Sequence, residues 1–94
     1  MAKGRLIHKV FYSHVETGEL PIEARYLYIG LMVHADDAGR IKANPKYLKA
    51  IIYPFDENIK SDNIRKWRDL ICERGLGKLY SVAGQDYLCH PNWE

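Results

Sequence analysis

Arg40-Ile41-Lys42-Ala43-Asn44-Pro45-Lys46-Tyr47-Leu48-Lys49-Ala50-Ile51-Ile52-Tyr53-Pro54 carries the punctuation that orders the elements of this chain. Arg40-Ile41-Lys42 is long enough only for a short strand. Asn44 is a good helix N-cap, and Pro45 suits the first helical position, where its missing N–H goes unnoticed. Tyr47, Leu48, Ile51 and Ile52 then fall on one face of a short helix. That helix must end near Tyr53, because Pro54 disfavours helical geometry in the residue before it.

Upstream, Leu6 to Tyr12 mixes apolar and polar residues without a clean period, as an extended arm or a short strand does. Glu16-Thr17-Gly18-Glu19 has turn composition. Pro21 again suits a first helical position, and Ala24, Leu27, Tyr28, Leu31 and Ala35 recur at helical spacing as a core-facing stripe. Tyr26, Ile29 and Val33 make much of the opposite side apolar too, so this helix is expected to be buried on several sides or shared with a second subunit. Asp36-Asp37-Ala38-Gly39 breaks it with turn chemistry.

Downstream, Ser61 is an N-cap candidate, with Asp62 placed against the positive end of the helix dipole. Ile64, Trp67, Leu70 and Ile71 mark a buried face, and Arg74-Gly75 matches a C-terminus. Lys78 to Val82 and Asp86 to His90 are β-prone, joined by the hairpin-sized Ala83-Gly84-Gln85. The order is arm, helix, short strand, helix, helix, hairpin. This is the order of an α+β winged helix-turn-helix, with three helices and a small three-stranded antiparallel sheet formed by Arg40–Lys42 and the hairpin. Residues 1–20 then read as a basic N-terminal arm and 21–94 as the winged helix-turn-helix domain.

The chain has 94 residues, enough for one domain, with 47% apolar and 28% charged residues, the composition of a folded globule. Cys72 and Cys89 are too few for a disulfide framework and read as reduced cytoplasmic thiols. No apolar run approaches the roughly 18 residues of a membrane span, and the N-terminus lacks the apolar stretch of a signal peptide. The net charge is only +2, but it is unevenly spread. Residues 1–14 hold Lys3, Arg5 and Lys9, and residues 39–50 hold Arg40, Lys42, Lys46 and Lys49, with no acid in either stretch. Residues 56–74, by contrast, carry five bases and five acids. Acid-free basic stretches suit phosphate contact or a solvated lysine-rich surface.

Several stretches resemble the N-terminal winged-helix domain of phage replisome organisers, a family related to DnaD-type primosome proteins. They are Met1-Ala2-Lys3-Gly4-Arg5, His34-Ala35-Asp36-Asp37-Ala38-Gly39-Arg40, Tyr47 to Pro54, Gly75-Leu76, and His90-Pro91-Asn92-Trp93. The resemblance implies a DNA-binding domain that heads a longer replication-initiation protein, or a shortened relative of one. A replicative helicase or its loader would be engaged through a region absent from this chain. Double-stranded DNA and a second copy of the chain are the expected partners, and no cofactor or membrane is expected. The related DnaD domain is known for self-association, which keeps a protein-docking scaffold open beside DNA contact. A transcriptional regulator of the same fold is a further alternative.

In such a fold the helix beginning at Ser61 enters the major groove. Asn63, Arg65, Lys66 and Arg68 lie off its Ile64/Trp67/Ile71 stripe and are assigned to DNA, against the alternative of a charged surface helix with an Arg65–Asp69 pair. Lys46 and Lys49 are phosphate candidates. Lys78 and Gln85 flank the hairpin, where a wing meets a groove or backbone. Lys3, Arg5 and Lys9 form the basic arm. Leu6, Ile7, Phe11, Tyr26, Ile29 and Val33 are assigned to an oligomer interface. Tyr26, Tyr28, Tyr47, Tyr53, Tyr80 and Tyr87 read as core or interface residues, with base stacking the alternative.

Catalysis finds little support. His34, Asp36 and Asp37, and the weaker pair Cys89-His90, lack the ligand spacing of a zinc site. No P-loop or dinucleotide-binding glycine motif is present, and Cys72 reads as an inert packing residue.

Overall fold

Pro21, with its fixed φ of −55°, precedes the first long helix as its N-cap rather than as its first residue. The computed structural model describes residues 14–90. Their elements are α1 (Val15–Gly18), α2 (Ile22–Val33), β1 (Arg40–Lys42), α3 (Pro45–Ile52), α4 (Ser61–Glu73), β2 (Lys78–Val82) and β3 (Gln85–Cys89). The class is α+β, with four helices and one three-stranded antiparallel sheet of order β1-β3-β2.

The expected turn at Glu16–Glu19 is instead the single-turn helix α1. Thr17 within it and Leu20 after it are buried, so α1 packs as part of the described body. Burial of these two side chains holds a turn that local propensity alone would leave open.

Helix α2 buries Ala24, Leu27 and Leu31, and ends at Val33 before Ala35, which is itself buried. Asn44 caps α3: its Oδ1 accepts the backbone N–H groups of Lys46 (2.9 Å) and Tyr47 (3.4 Å). Leu48 and Ile52 point into the core, whereas Tyr47, expected on the apolar face, is 42% exposed. Helix α4 is capped at Lys60 rather than Ser61, with the Lys60 backbone N–H donating to Asn63 Oδ1 at 2.9 Å. Ile64 and Ile71 are fully buried, while Trp67 and Leu70 are half-buried against the same core. The helix ends with Gly75 at φ +76°, and the Gly75 and Leu76 N–H groups return to the Cys72 and Ile71 carbonyls. This two-bond closure needs a left-handed residue, which glycine supplies without a Cβ penalty.

The hairpin turn is two residues, Ala83 and Gly84, both with positive φ, so β3 starts at Gln85 instead of Asp86. This handedness matches the twist of the flanking strands. Register sets the two faces of the sheet. Ile41, Leu88 and Leu79 form one cross-strand row, with Ile41 and Leu88 buried in the core. On the opposite face lie the rows Arg40–Cys89–Lys78 and Lys42–Tyr87–Tyr80.

Candidate nucleic-acid interface

Position 68 changes the chemistry of α4. Arg68 lies four residues after Ile64 and three before Ile71, which places it on the buried stripe by helical geometry. It is only 5% exposed. Its guanidinium donates to the Ala43 carbonyl (2.9 Å) and Asp86 Oδ2 (3.3 Å), and its Nε donates to Asp69 Oδ1 (3.1 Å). Asp86 in turn accepts the Ser81 hydroxyl at 2.8 Å, and its backbone carbonyl accepts the Ala43 N–H at 2.9 Å. The assignment of Arg68 to DNA is therefore corrected: the side chain joins α4 to β3 and to the link between β1 and α3.

Two further assigned residues are engaged within the protein. Asn63 Oδ1 is held by the Lys60 N–H, so that oxygen closes a helix end rather than facing a base. The Lys49 ammonium donates to the carbonyls of Tyr53 (3.3 Å) and Asp56 (3.1 Å), neutralising the negative end of α3. Arg65 pairs with Asp62 at 3.8 Å rather than with Asp69, which belongs to Arg68. Lys66 is exposed on the same helix, and Lys46 is exposed at the start of α3. Lys78 is exposed at the first position of β2, far along the strand from the turn, and Gln85 is half-buried beside it. Lys3, Arg5, Lys9, Leu6, Ile7 and Phe11 lie outside the described residues.

The apolar side of α2 does emerge into solvent. Ile22, Tyr26, Ile29 and Val33 recur at helical spacing; Ile22 is 73%, Tyr26 53% and Val33 46% exposed, and Ile29 is half-buried. Tyr26 also packs on Tyr53, with ring centroids 5.2 Å apart.

Residues absent from the assigned contacts come together on the outer face of the sheet. His34, Asp36, Arg40, Lys42, Tyr47, Tyr80, Val82 and Tyr87 line an open groove of about 550 Å³. Strand alternation was the available signal: Tyr80 and Tyr87 alternate with the core-facing Leu79 and Leu88, and Arg40 and Lys42 flank Ile41. The Asp36 carboxyl is held below its ordinary pKa, first by the Arg40 backbone N–H, then by that of Ala38 and by the Arg40 charge. Its Oδ1 accepts both N–H groups at 2.9 Å, and Arg40 Nε reaches Oδ2 at 3.1 Å.

Among the described residues, no three His, Cys, Asp or Glu side chains gather as a metal-binding group. None of the described helices is long and apolar enough to cross a membrane. Cys72 and Cys89 are free thiols, and burial pushes the Cys72 thiol up, away from the reactive thiolate. Comparison with known proteins finds no matching family model, no matching curated protein and no matching solved structure.

Proposed function

We propose that this chain is a winged helix-turn-helix DNA-binding domain of a replication-initiation protein of the phage replisome-organiser type. The observation that carries the reading is the α3–α4 pair between β1 and the β2–β3 hairpin of one three-stranded sheet, with Arg65 and Lys66 on the solvent side of α4. In this arrangement α4 meets the major groove, Lys46 meets phosphate from α3, and the Ala83-Gly84 tip approaches the neighbouring backbone. The resemblance to replisome organisers adds the replication context.

The charge arithmetic limits what α4 contributes. Arg65 is shared with Asp62, Arg68 is consumed internally, and Glu73 lies exposed on the same helix. Much of the duplex affinity therefore falls to Lys66, Lys46 and Lys78, and it is electrostatic and steeply salt-dependent. Charge reversal tests this. Lys46→Glu and Lys66→Glu each weaken binding to every duplex sequence and flatten its salt dependence. Unchanged affinity in both variants removes α3 and α4 from the contact surface.

A second reading rests on the exposed Ile22/Tyr26/Ile29/Val33 stripe of α2: a docking or self-association surface within a replisome. It predicts mass that rises with concentration and falls when Tyr26 and Val33 are replaced by Ser. No catalytic step belongs to either reading.

A further inference from the structure

The outer face of the sheet sets aromatic rings beside cations. Tyr80 and Tyr87 are cross-strand partners whose rings stack with centroids 5.7 Å apart and planes 20° from parallel. Tyr47 lines the same groove from the start of α3, and the Lys42 ammonium lies 6.0 Å from its ring centroid. Arg40 and Lys42 project from β1 beside these rings, two residues apart and therefore on the same face. The groove has one acidic lining residue, Asp36, whose carboxylate is already satisfied by Arg40 and two backbone N–H groups. A volume of about 550 Å³ is in the range of small-ligand sites.

We infer that this groove binds single-stranded nucleic acid, the tyrosines stacking on unpaired bases and Lys42, with Arg40 shared with Asp36, meeting the phosphates. Aromatic faces beside cations that track a backbone are the recurring solution for unpaired strands, because every base has a π-face and every linkage a charge. Intact duplex is excluded from the stacking mode, since its bases are already stacked within the helix. A proline-rich peptide also docks on tyrosine-lined grooves, but it gives the paired cations no counterpart. The site is distinct from the α4 surface, and the inference holds whether or not α4 binds duplex.

The test follows the tyrosine ring resonances by NMR while the intact chain is titrated with short oligo-dT, with oligo-rU, and with inorganic polyphosphate. Oligo-dT is expected to shift the Tyr47, Tyr80 and Tyr87 ring signals upfield, whereas polyphosphate leaves the rings in place. Tyr47→Ala and Lys42→Gln, both at exposed positions, are each expected to weaken oligo-dT binding about tenfold while leaving random-duplex affinity unchanged. Equal response to oligo-rU assigns the groove to unpaired strands of either sugar, and a response to one alone names the sugar. Rings unmoved by either oligonucleotide, or equal displacement of oligo-dT by polyphosphate, overturn the inference. Ring shifts with a proline-rich peptide but not with oligo-dT overturn it in favour of a peptide. Loss of oligo-dT binding with unchanged duplex affinity in both variants distinguishes this groove from the α4 surface.

Discussion

Arg68 and Asp86 meet at 3.3 Å across the junction between α4 and β3, although 18 residues separate them in the chain. The arginine is almost wholly buried and the aspartate is partly exposed, so the pair is a hydrogen-bonded clamp with one end in water. Ala43 supplies the second acceptor, which binds the start of α3 into the same junction. Arg68→Ala leaves Asp86 and the Ala43 carbonyl short of a donor. The expected loss is about 2–3 kcal/mol, less than for a fully buried pair because Asp86 is reached by solvent. Urea denaturation reads it directly. Arg68→Lys recovers only part, since an ammonium cannot serve Asp69, Asp86 and Ala43 with the planar fork that arginine presents.

Gly30 of α2 faces the Ile52 side chain of α3. A Cβ built there would lie 2.7 to 2.9 Å from three side-chain carbons of Ile52, closer than packed carbons tolerate. Alanine gains about 1 kcal/mol of helix propensity over glycine, while overpacking costs about 1–3 kcal/mol. Gly30→Ala is therefore expected to be destabilising on balance. Combining it with Ile52→Val removes one clashing carbon and should recover more stability than the two single effects sum to. A double-mutant cycle in denaturant checks this coupling.

Asn44 holds two N–H groups at the start of α3. Asn44→Ala is expected to lose about 1 kcal/mol, and Asn44→Asp to retain the wild-type stability because carboxylate caps equally well and suits the helix dipole. Thermal melts of the two variants give the comparison.

Tyr53 sets an alkaline limit. Its hydroxyl donates to the Glu23 carbonyl at 2.8 Å, and burial, reinforced by Tyr26, Asp56 and Glu23, raises its pKa well above the ordinary 10.0. Unfolded chain releases this proton near 10.0, whereas the folded protein retains it. The contribution of Tyr53 is thus fully present below that pH and is lost progressively as pH rises beyond it. At neutral pH, Tyr53→Phe should cost about 1 kcal/mol for the lost hydrogen bond. That gap should shrink above pH 10.0 and then reverse, as followed by urea midpoints of both proteins.

Local signals located most elements. Asn44-Pro45, Pro54 and Arg74-Gly75 each impose a backbone geometry that neighbouring residues cannot override, and the corresponding helix ends fall within a residue or two of expectation. Helix α1 was illegible because its four residues hold together through the burial of Thr17 and Leu20, a tertiary effect. Arg68 differs: its charge suggests solvent, whereas the Ile64–Arg68–Ile71 spacing puts it inside. The tyrosine groove depends on strand register, because only the pairing of Tyr87 with Lys42 on one side and Tyr80 on the other puts cation and rings in one row.

Fluorescence anisotropy of a labelled random-sequence duplex, titrated with the protein over a series of salt concentrations, tests the proposed DNA contact most directly. The account predicts micromolar binding at low salt that falls steeply and log-linearly as salt rises. No binding at low salt, even at high protein concentration, would contradict it and leave the α2 stripe and the tyrosine groove as the remaining candidate surfaces.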